Sequence, residues 1–180
     1  MIYGERVRLR GIERGDLPKY YEWINDPDVF EGLSINLPMS MVDEERWFDG
    51  TTHREQAEKP LAIEIQEQGG WRLIGNCGFF DFDWTSRAAE FGIMIGDKSV
   101  WDQGYGTETV LLLLKHGFET LNLNRIVLRV FDNNRRAVRA YEKAGFTLEG
   151  TLRQADYKNG AYHDLHVMSV LRSEWNKDSS

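Results

Sequence analysis

Trp101-Asp102-Gln103-Gly104-Tyr105-Gly106-Thr107-Glu108 sets two glycines directly before an apolar run, Val110 to Leu114, that continues at helical spacing. Glycine lets the backbone approach an anion without Cβ interference. The unpaired N–H groups of a first helical turn, aided by the helix dipole, hold phosphate oxygens. The stretch therefore reads as a phosphate-binding loop at a helix start. The contacts fall on the backbone of Gln103, Gly104, Tyr105, Gly106 and Thr107, with the Thr107 hydroxyl adding one more. Glu108 is expected to point away, because a carboxylate beside phosphates would repel them. Thr109 stands where a dinucleotide fingerprint needs its third glycine, and no Gly-Lys-Ser/Thr ending follows, so neither a Rossmann nor a P-loop NTPase reading fits. A plain tight turn before a helix is the other reading of the two glycines.

Asn134-Arg135-Arg136-Ala137-Val138-Arg139-Ala140-Tyr141-Glu142-Lys143-Ala144-Gly145-Phe146 is the second informative cluster. Together the two stretches resemble the GNAT acetyltransferases. In that family a strand leads into an Arg/Gln-x-x-Gly-x-Gly/Ala loop that opens a helix. A second strand follows, then a helix carrying Asn-x-x-Ala-x-x-x-Tyr and closing with Gly-Phe. Here Gly104 and Gly106 take the glycine positions, and Asn134, Ala137, Tyr141, Gly145 and Phe146 take the second motif. Trp101 stands where Arg or Gln is usual, a departure the RimJ/RimL branch tolerates. The likeness reaches from Val7-Arg8-Leu9-Arg10 and Asp16-Leu17, through Arg87 to Ile93, to Glu149-Gly150 and Gly160-Ala161-Tyr162-His163-Asp164.

The resemblance implies one N-acetyltransferase domain over residues 1–172, with a polar and frayed tail at 173–180, similar to the RimJ/RimL type and to spermidine acetyltransferases. It implies acetyl-CoA as cosubstrate and direct transfer to an amine.

Composition agrees with a single packed core: 180 residues are 41% hydrophobic and 12% aromatic. The formal charge of −7 argues against broad nucleic-acid binding and suits a cationic acceptor such as a protonated amine. The single Cys77 leaves no intramolecular disulfide and suits a reducing cytoplasm. No leader-like start and no apolar run of membrane-spanning length is present, so a soluble cytoplasmic protein with no membrane partner is expected.

Glu5 to Ile12 alternates as a strand, and Asp16-Leu17-Pro18 opens a helix that ends near Asn25-Asp26-Pro27. Ser40 and Asp43 form a capping box for a second helix. Leu61 to Glu67 and Trp71 to Asp83 flank a hairpin signal at Gln68-Gly69-Gly70, and Ala88 to Ile95 is a further strand. Val110, Leu113, Leu114, Gly117, Phe118 and Leu121 share a helical face. Arg125 to Phe131 is a buried strand, Asn134 to Ala144 a helix stopped by Gly145, and the segments flanking Lys158-Asn159-Gly160 a last hairpin. The order predicts an α/β (α+β) fold, with a mixed central sheet of about seven strands and helices on both faces.

Acetyl transfer needs a deprotonated amine near the thioester, a stabilised oxyanion and a protonated leaving thiolate. The family match makes Tyr141 the general acid, although its spacing with Ala137, Ala140 and Ala144 equally suits a core aromatic. Glu90 is the candidate for accepting the amine proton, through water; it would otherwise bind a cationic substrate or pair with Arg87. His163 and His166 are weaker alternatives. The resemblance pairs the backbone of Ile93, Met94 and Ile95 with the pantetheine arm, and puts Asn134, Ala137 and Lys143 among the cofactor contacts. A helix N-cap is the other role for Asn134, one that Asn133 equally fits. Cys77 is expected to be a small buried strand residue, and His53, His116, His163 and His166 show no zinc spacing with it, so no metal is implied.

Acceptor choice in the family lies in the first two helices and the last hairpin. Asp26, Asp28, Glu31, Asp43, Glu44 and Glu45 form either a cation-attracting rim or a solvated helix face. Trp23, Trp47 and Phe48 are expected to pack the helices. The acceptor is expected to be a peptide or protein N-terminal α-amine, or a small amine such as a polyamine, aminosugar or antibiotic. A non-catalytic acyl-CoA-binding module is the alternative of another class. The resemblance also implies a homodimer through the last hairpin or the sheet edge.

Overall fold

Buried side chains alternate along Val7–Gly11, where Val7 and Leu9 are fully buried, and this strand finds its partner in the equally buried Ile63 and Ile65. From that pair the sheet grows in both directions. In chain order the strands are β1 (Ile2–Tyr3), β2 (Val7–Gly11), β3 (Leu61–Glu67), β4 (Gly70–Asp83), β5 (Ala88–Ile95), β6 (Arg125–Phe131), β7 (Thr147–Lys158) and β8 (Ala161–Leu171). They form one eight-stranded sheet in the order β1-β2-β3-β4-β5-β6-β8-β7, with every neighbour antiparallel except β5 and β6. This computed structural model describes residues 1–35 and 37–178.

The sheet thus has eight strands rather than about seven. The extra one, Ile2–Tyr3, pairs with Leu9 and Arg8 and is only two residues long, so no periodicity announces it. The helices are α1 (Leu17–Ile24), α2 (Pro27–Phe30), α3 (Met41–Thr52), α4 (Tyr105–Lys115), α5 (Arg135–Lys143) and α6 (Arg172–Asp178). Ser40 and Asp43 make the expected capping box at α3. Gly145, at φ +95°, takes the left-handed conformation that ends α5. Where a frayed tail was expected, α6 forms and Trp175 packs on the Phe118 ring at 5.9 Å; residues 179–180 lie outside the described residues.

Successive residues of a strand point to opposite faces. On β5, Ala89, Phe91, Ile93 and Ile95 join the larger core with Val110, Leu113 and Leu114 of α4 and Tyr141 of α5. Met94 turns the other way, into a second cluster with Leu17, Tyr20 and Trp23 of α1 and Val29 of α2. Helices therefore cover both faces of β5, and the site lies beside this strand.

Candidate active site

β5 and β6 pair only where Ala88, Ala89 and Glu90 face Arg125, Ile126 and Val127. Beyond that point the strands part. Phe91 to Ile95 remain paired to β4 on one edge and have no strand on the other. The gap opens into a cleft of about 1080 Å³, whose lining includes Ile93, Met94 and Ile95, the glycine loop, the face of α5, and residues of α2 and α3. One strand edge carrying unmet backbone groups thus borders a cavity larger than most small-molecule pockets.

The glycine loop stands at one mouth. Gly104 caps α4 with φ +86°, a conformation a Cβ would strain, and Tyr105, Gly106 and Thr107 of the first turn line the cleft. N–H groups in a first helical turn lack intrahelical acceptors and suit an anion. Glu108 points away as expected. Its carboxylate accepts the backbone N–H groups of Arg6 at 2.7 Å and Val7 at 3.0 Å, and Arg6 Nε at 3.0 Å. Arg6 also donates to the carbonyl of Gln103 at 3.2 Å and lies over the Tyr105 ring at 4.5 Å, bracing the loop from behind. Gln103 itself lies outside the cleft lining, its side chain turned to donate to the Ser99 carbonyl at 2.8 Å.

Trp101 fills the Arg/Gln position of the motif with a different set of contacts. Its indole N–H donates to the carbonyl of Ile95 at 2.8 Å, and the guanidinium of Arg136 lies 3.6 Å above its ring. The loop after β5 is thereby tied to α5 across the cleft. Asn134, not Asn133, caps α5, its Oδ1 accepting the Ala137 N–H at 3.2 Å. Asn134, Ala137, Tyr141 and Lys143 all border the cleft.

Tyr141 is 9% exposed and packs edge-on to Phe91 at 5.8 Å. Among the described residues its hydroxyl has no hydrogen-bond partner, so it is left to whatever occupies the cleft. Burial pushes its pKa up to about 12. Glu90 is likewise 9% exposed, and burial raises its carboxyl above the usual range while Arg129 opposes the rise and Asp81 adds to it. Its ion partner is Arg129, at 3.5 Å, rather than Arg87, which pairs with Asn122. Glu90 shares the Met94 face of β5 and Tyr141 lies on the Phe91 face. Both border the same cleft because the sheet is open between them. His163 and His166 are outside its lining, engaged with the Lys158 carbonyl and the Thr151 hydroxyl. Cys77 is buried, and burial raises its thiol, as befits a packed strand residue.

Residues 6–147 match the acetyltransferase (GNAT) domain family. The chain belongs to the GNAT acetyltransferases. Spermidine N(1)-acetyltransferase of Vibrio cholerae is 31% identical over 94% of this chain and 95% of its own length. The putative ribosomal N-acetyltransferase YdaF of Bacillus subtilis is 34% identical over 95% of this chain and 94% of its own. The crystal structure of the Vibrio cholerae spermidine N-acetyltransferase in complex with CoA and spermine superposes with a TM-score of 0.86 at 29% identity, covering 95% of this chain and 98% of that one.

Acetyl-CoA is the cosubstrate of this GNAT acetyltransferase, and the residues present suit it. The α5 side of the cleft carries Arg135, Arg136, Arg139 and Lys143, a basic wall next to the glycine loop and the free strand edge. The lining also carries Asp28, Glu31, Glu58, Glu90 and Asp102, with Arg54 and Arg129 among them. Of the six acidic residues considered as a rim, only Asp28 and Glu31 border the cleft. Asp26 and Asp28 bind Lys98, Asp43 is spent on Ser40 and Arg46, and Glu44 is buried. Trp23 and Phe48 pack among the helices, whereas Trp47 also borders the cleft.

Sequence reasoning missed Arg6, Arg129 and the Trp101–Arg136 stack. Each acts across the fold, and only the charge of the two arginines beside known motifs hinted at it. Among the described residues no cluster of three or more His, Cys, Asp or Glu is arranged to hold a metal ion, and no helix is long and apolar enough to cross a membrane.

Proposed function

We propose that this acetyltransferase acetylates a primary amine of a small cationic acceptor, a polyamine being the best fit. The observation that carries this reading is that carboxylates, Asp28, Glu31, Glu58 and Glu90, line the same cleft as the basic face of α5. A nucleotide carrying phosphates is drawn to the arginines and lysine of α5, and an acceptor carrying ammonium groups to the carboxylates. The named substrate of the Vibrio cholerae relative supports the same class.

In the proposed reaction the pyrophosphate rests on Gly104, Tyr105, Gly106 and Thr107, with Asn134, Ala137 and Lys143 alongside, and the pantetheine amides pair with the edge of Ile93, Met94 and Ile95, whose last carbonyl already accepts from Trp101. Glu90 accepts the amine proton through water, and its raised pKa brings it nearer the value a base needs at neutral pH. The neutral nitrogen attacks the thioester carbonyl, the C–S bond breaks, Tyr141 supplies a proton to the departing sulfur, and the now cationic nitrogen sheds its second proton to solvent, from which Tyr141 is recharged. Burial favours the protonated phenol before transfer and makes the phenolate costly, so the step is a shared proton in the transition state rather than a free phenolate.

The likeness to a putative ribosomal N-acetyltransferase favours a second acceptor, a protein N-terminal α-amine. A thiol-release assay with acetyl-CoA separates the two: spermidine, an aminosugar, an aminoglycoside, and peptides beginning with Ala, Ser or Met. Preferential turnover of spermidine supports the proposal, and preferential turnover of a peptide overturns it. A homodimer remains part of the proposal, supported by β7, an edge strand with Leu148 and Leu152 exposed. So does a cytoplasmic setting, which suits the lone thiol.

A further inference from the structure

The face of the sheet that carries Glu90 has a bare patch. β4 and β5 set Phe80 opposite Glu90, Gly78 opposite Gly92, and Asn76 opposite Met94. Directly paired residues share a face, as do alternate residues along a strand, so these six lie together in three rows. All six border the cleft. The middle row contributes no side chain.

Pro60 covers the Gly78 half, where a Cβ would fall 3.1 Å from the Pro60 Cα, but a neighbouring glycine shows that the Gly92 half is not a packing requirement. A Cβ on Gly96, two positions beyond Met94 on the same face, would fall 2.3 Å from the Trp23 ring, so the indole occupies that space. A Cβ on Gly92 would meet only Cε1 of Phe80, at 3.3 Å. Helices α1 to α3 cover the sheet at Gly96 and leave it uncovered at Gly92. Beyond the gap, the part-buried carboxamide of Asn76 has no protein hydrogen-bond partner among the described residues.

Resting on the polyamine reading above, we infer that Gly92 is the floor of the acceptor channel and limits its width, with Pro60 over Gly78 as its side wall. Asn76 is its far polar contact. Glu90 and Met94 are four residues apart, about 13 Å along a strand, so an extended alkyl chain crosses Gly92 with its reacting nitrogen at Glu90 and a second amine toward Asn76. A slender, unbranched diamine is the chemistry this channel selects. A ring-bearing amine meets Phe80 instead.

The test compares Gly92→Val and Asn76→Leu with the unaltered protein. It reads the KM for spermidine and for propylamine by thiol release, and the Kd for acetyl-CoA by calorimetry. Valine suits a strand and fills the floor. Gly92→Val is expected to raise the spermidine KM about tenfold or more with the acetyl-CoA Kd little changed. An unchanged spermidine KM in this variant overturns the floor. Should Gly92→Val fail to fold or to bind acetyl-CoA, Asn76→Leu decides alone: it is expected to raise the KM of spermidine and not that of propylamine, and an equal effect on both, or none, overturns the channel. Turnover of no amine by the unaltered protein overturns the proposed function together with this assignment, whereas normal turnover with unshifted variants overturns the assignment alone.

Discussion

The ammonium of Lys158 lies 2.6 Å from the main-chain carbonyl of Leu33, joining residues 125 positions apart. It also donates to the carbonyls of Phe30 and Glu31 and sits 3.9 Å from the Phe30 ring centroid. The tip of the β7–β8 hairpin is thereby pinned to the segment after α2, which supplies Glu31 to the cleft. Lys158→Met keeps the length of the stem and removes the donors. Partners left unsatisfied cost about 1–3 kcal/mol, so a lower urea midpoint with an unchanged m-value is expected. An unchanged midpoint would show that the pin contributes nothing to stability.

Tyr141→Phe retains the ring between Phe91 and Phe146 and removes only the hydroxyl. A general acid contributes about 10²–10⁴-fold, so kcat should fall by that order while acetyl-CoA still binds and the circular dichroism spectrum is preserved. Undiminished turnover would return Tyr141 to the role of a core aromatic.

The pH profile should report Glu90. As the base it must be ionised, so kcat/KM rises as pH climbs through its pKa, which burial has raised. Arg129 opposes that rise, and Arg129→Gln should therefore move the acid limb to higher pH. Glu90→Gln should abolish the limb and lower kcat/KM. A limb that stays put in Arg129→Gln would detach Glu90 from the profile.

Glu149 joins three strands: its carboxylate on β7 takes both Nη atoms of Arg125 on β6, at 2.6 and 2.5 Å, and the Ser169 hydroxyl on β8 at 2.7 Å. The Arg125 guanidinium and the Ser169 hydroxyl hold its pKa at about 2, against about 4.3 in an unfolded chain. A depressed carboxyl stabilises the fold fully above the unfolded value and loses that contribution as pH falls through about 2. The urea midpoint of Glu149→Gln should fall below that of the unaltered protein at neutral pH, with the gap closing near pH 2 and narrowing with salt. A gap that persists at low pH would assign the loss to packing.

Local patterns predicted the parts that local physics controls. The bounds of β3, β5 and β6 agree with the alternating or continuous apolar runs, and α3 begins at the capping box. The four residues of α2 and the polar α6 carry too little periodicity to read. At the site, the glycine loop was legible because its chemistry is contiguous. The Arg6 brace and the Arg129 partner of Glu90 were not, since each depends on which strands become neighbours. Trp101 was visible as a departure from the motif, yet its bond to Ile95 and its stack with Arg136 needed the loop's path.

Glu90 and Tyr141 flank the opening where β5 and β6 part, one from each face of the sheet. Only a group threaded through that opening is within reach of both. In the proposed reaction both substrates therefore sit together in one cleft, and neither has to leave for the other to enter. Such a layout suits a sequential kinetic pattern, with intersecting double-reciprocal lines and CoA competing with acetyl-CoA but not with the amine.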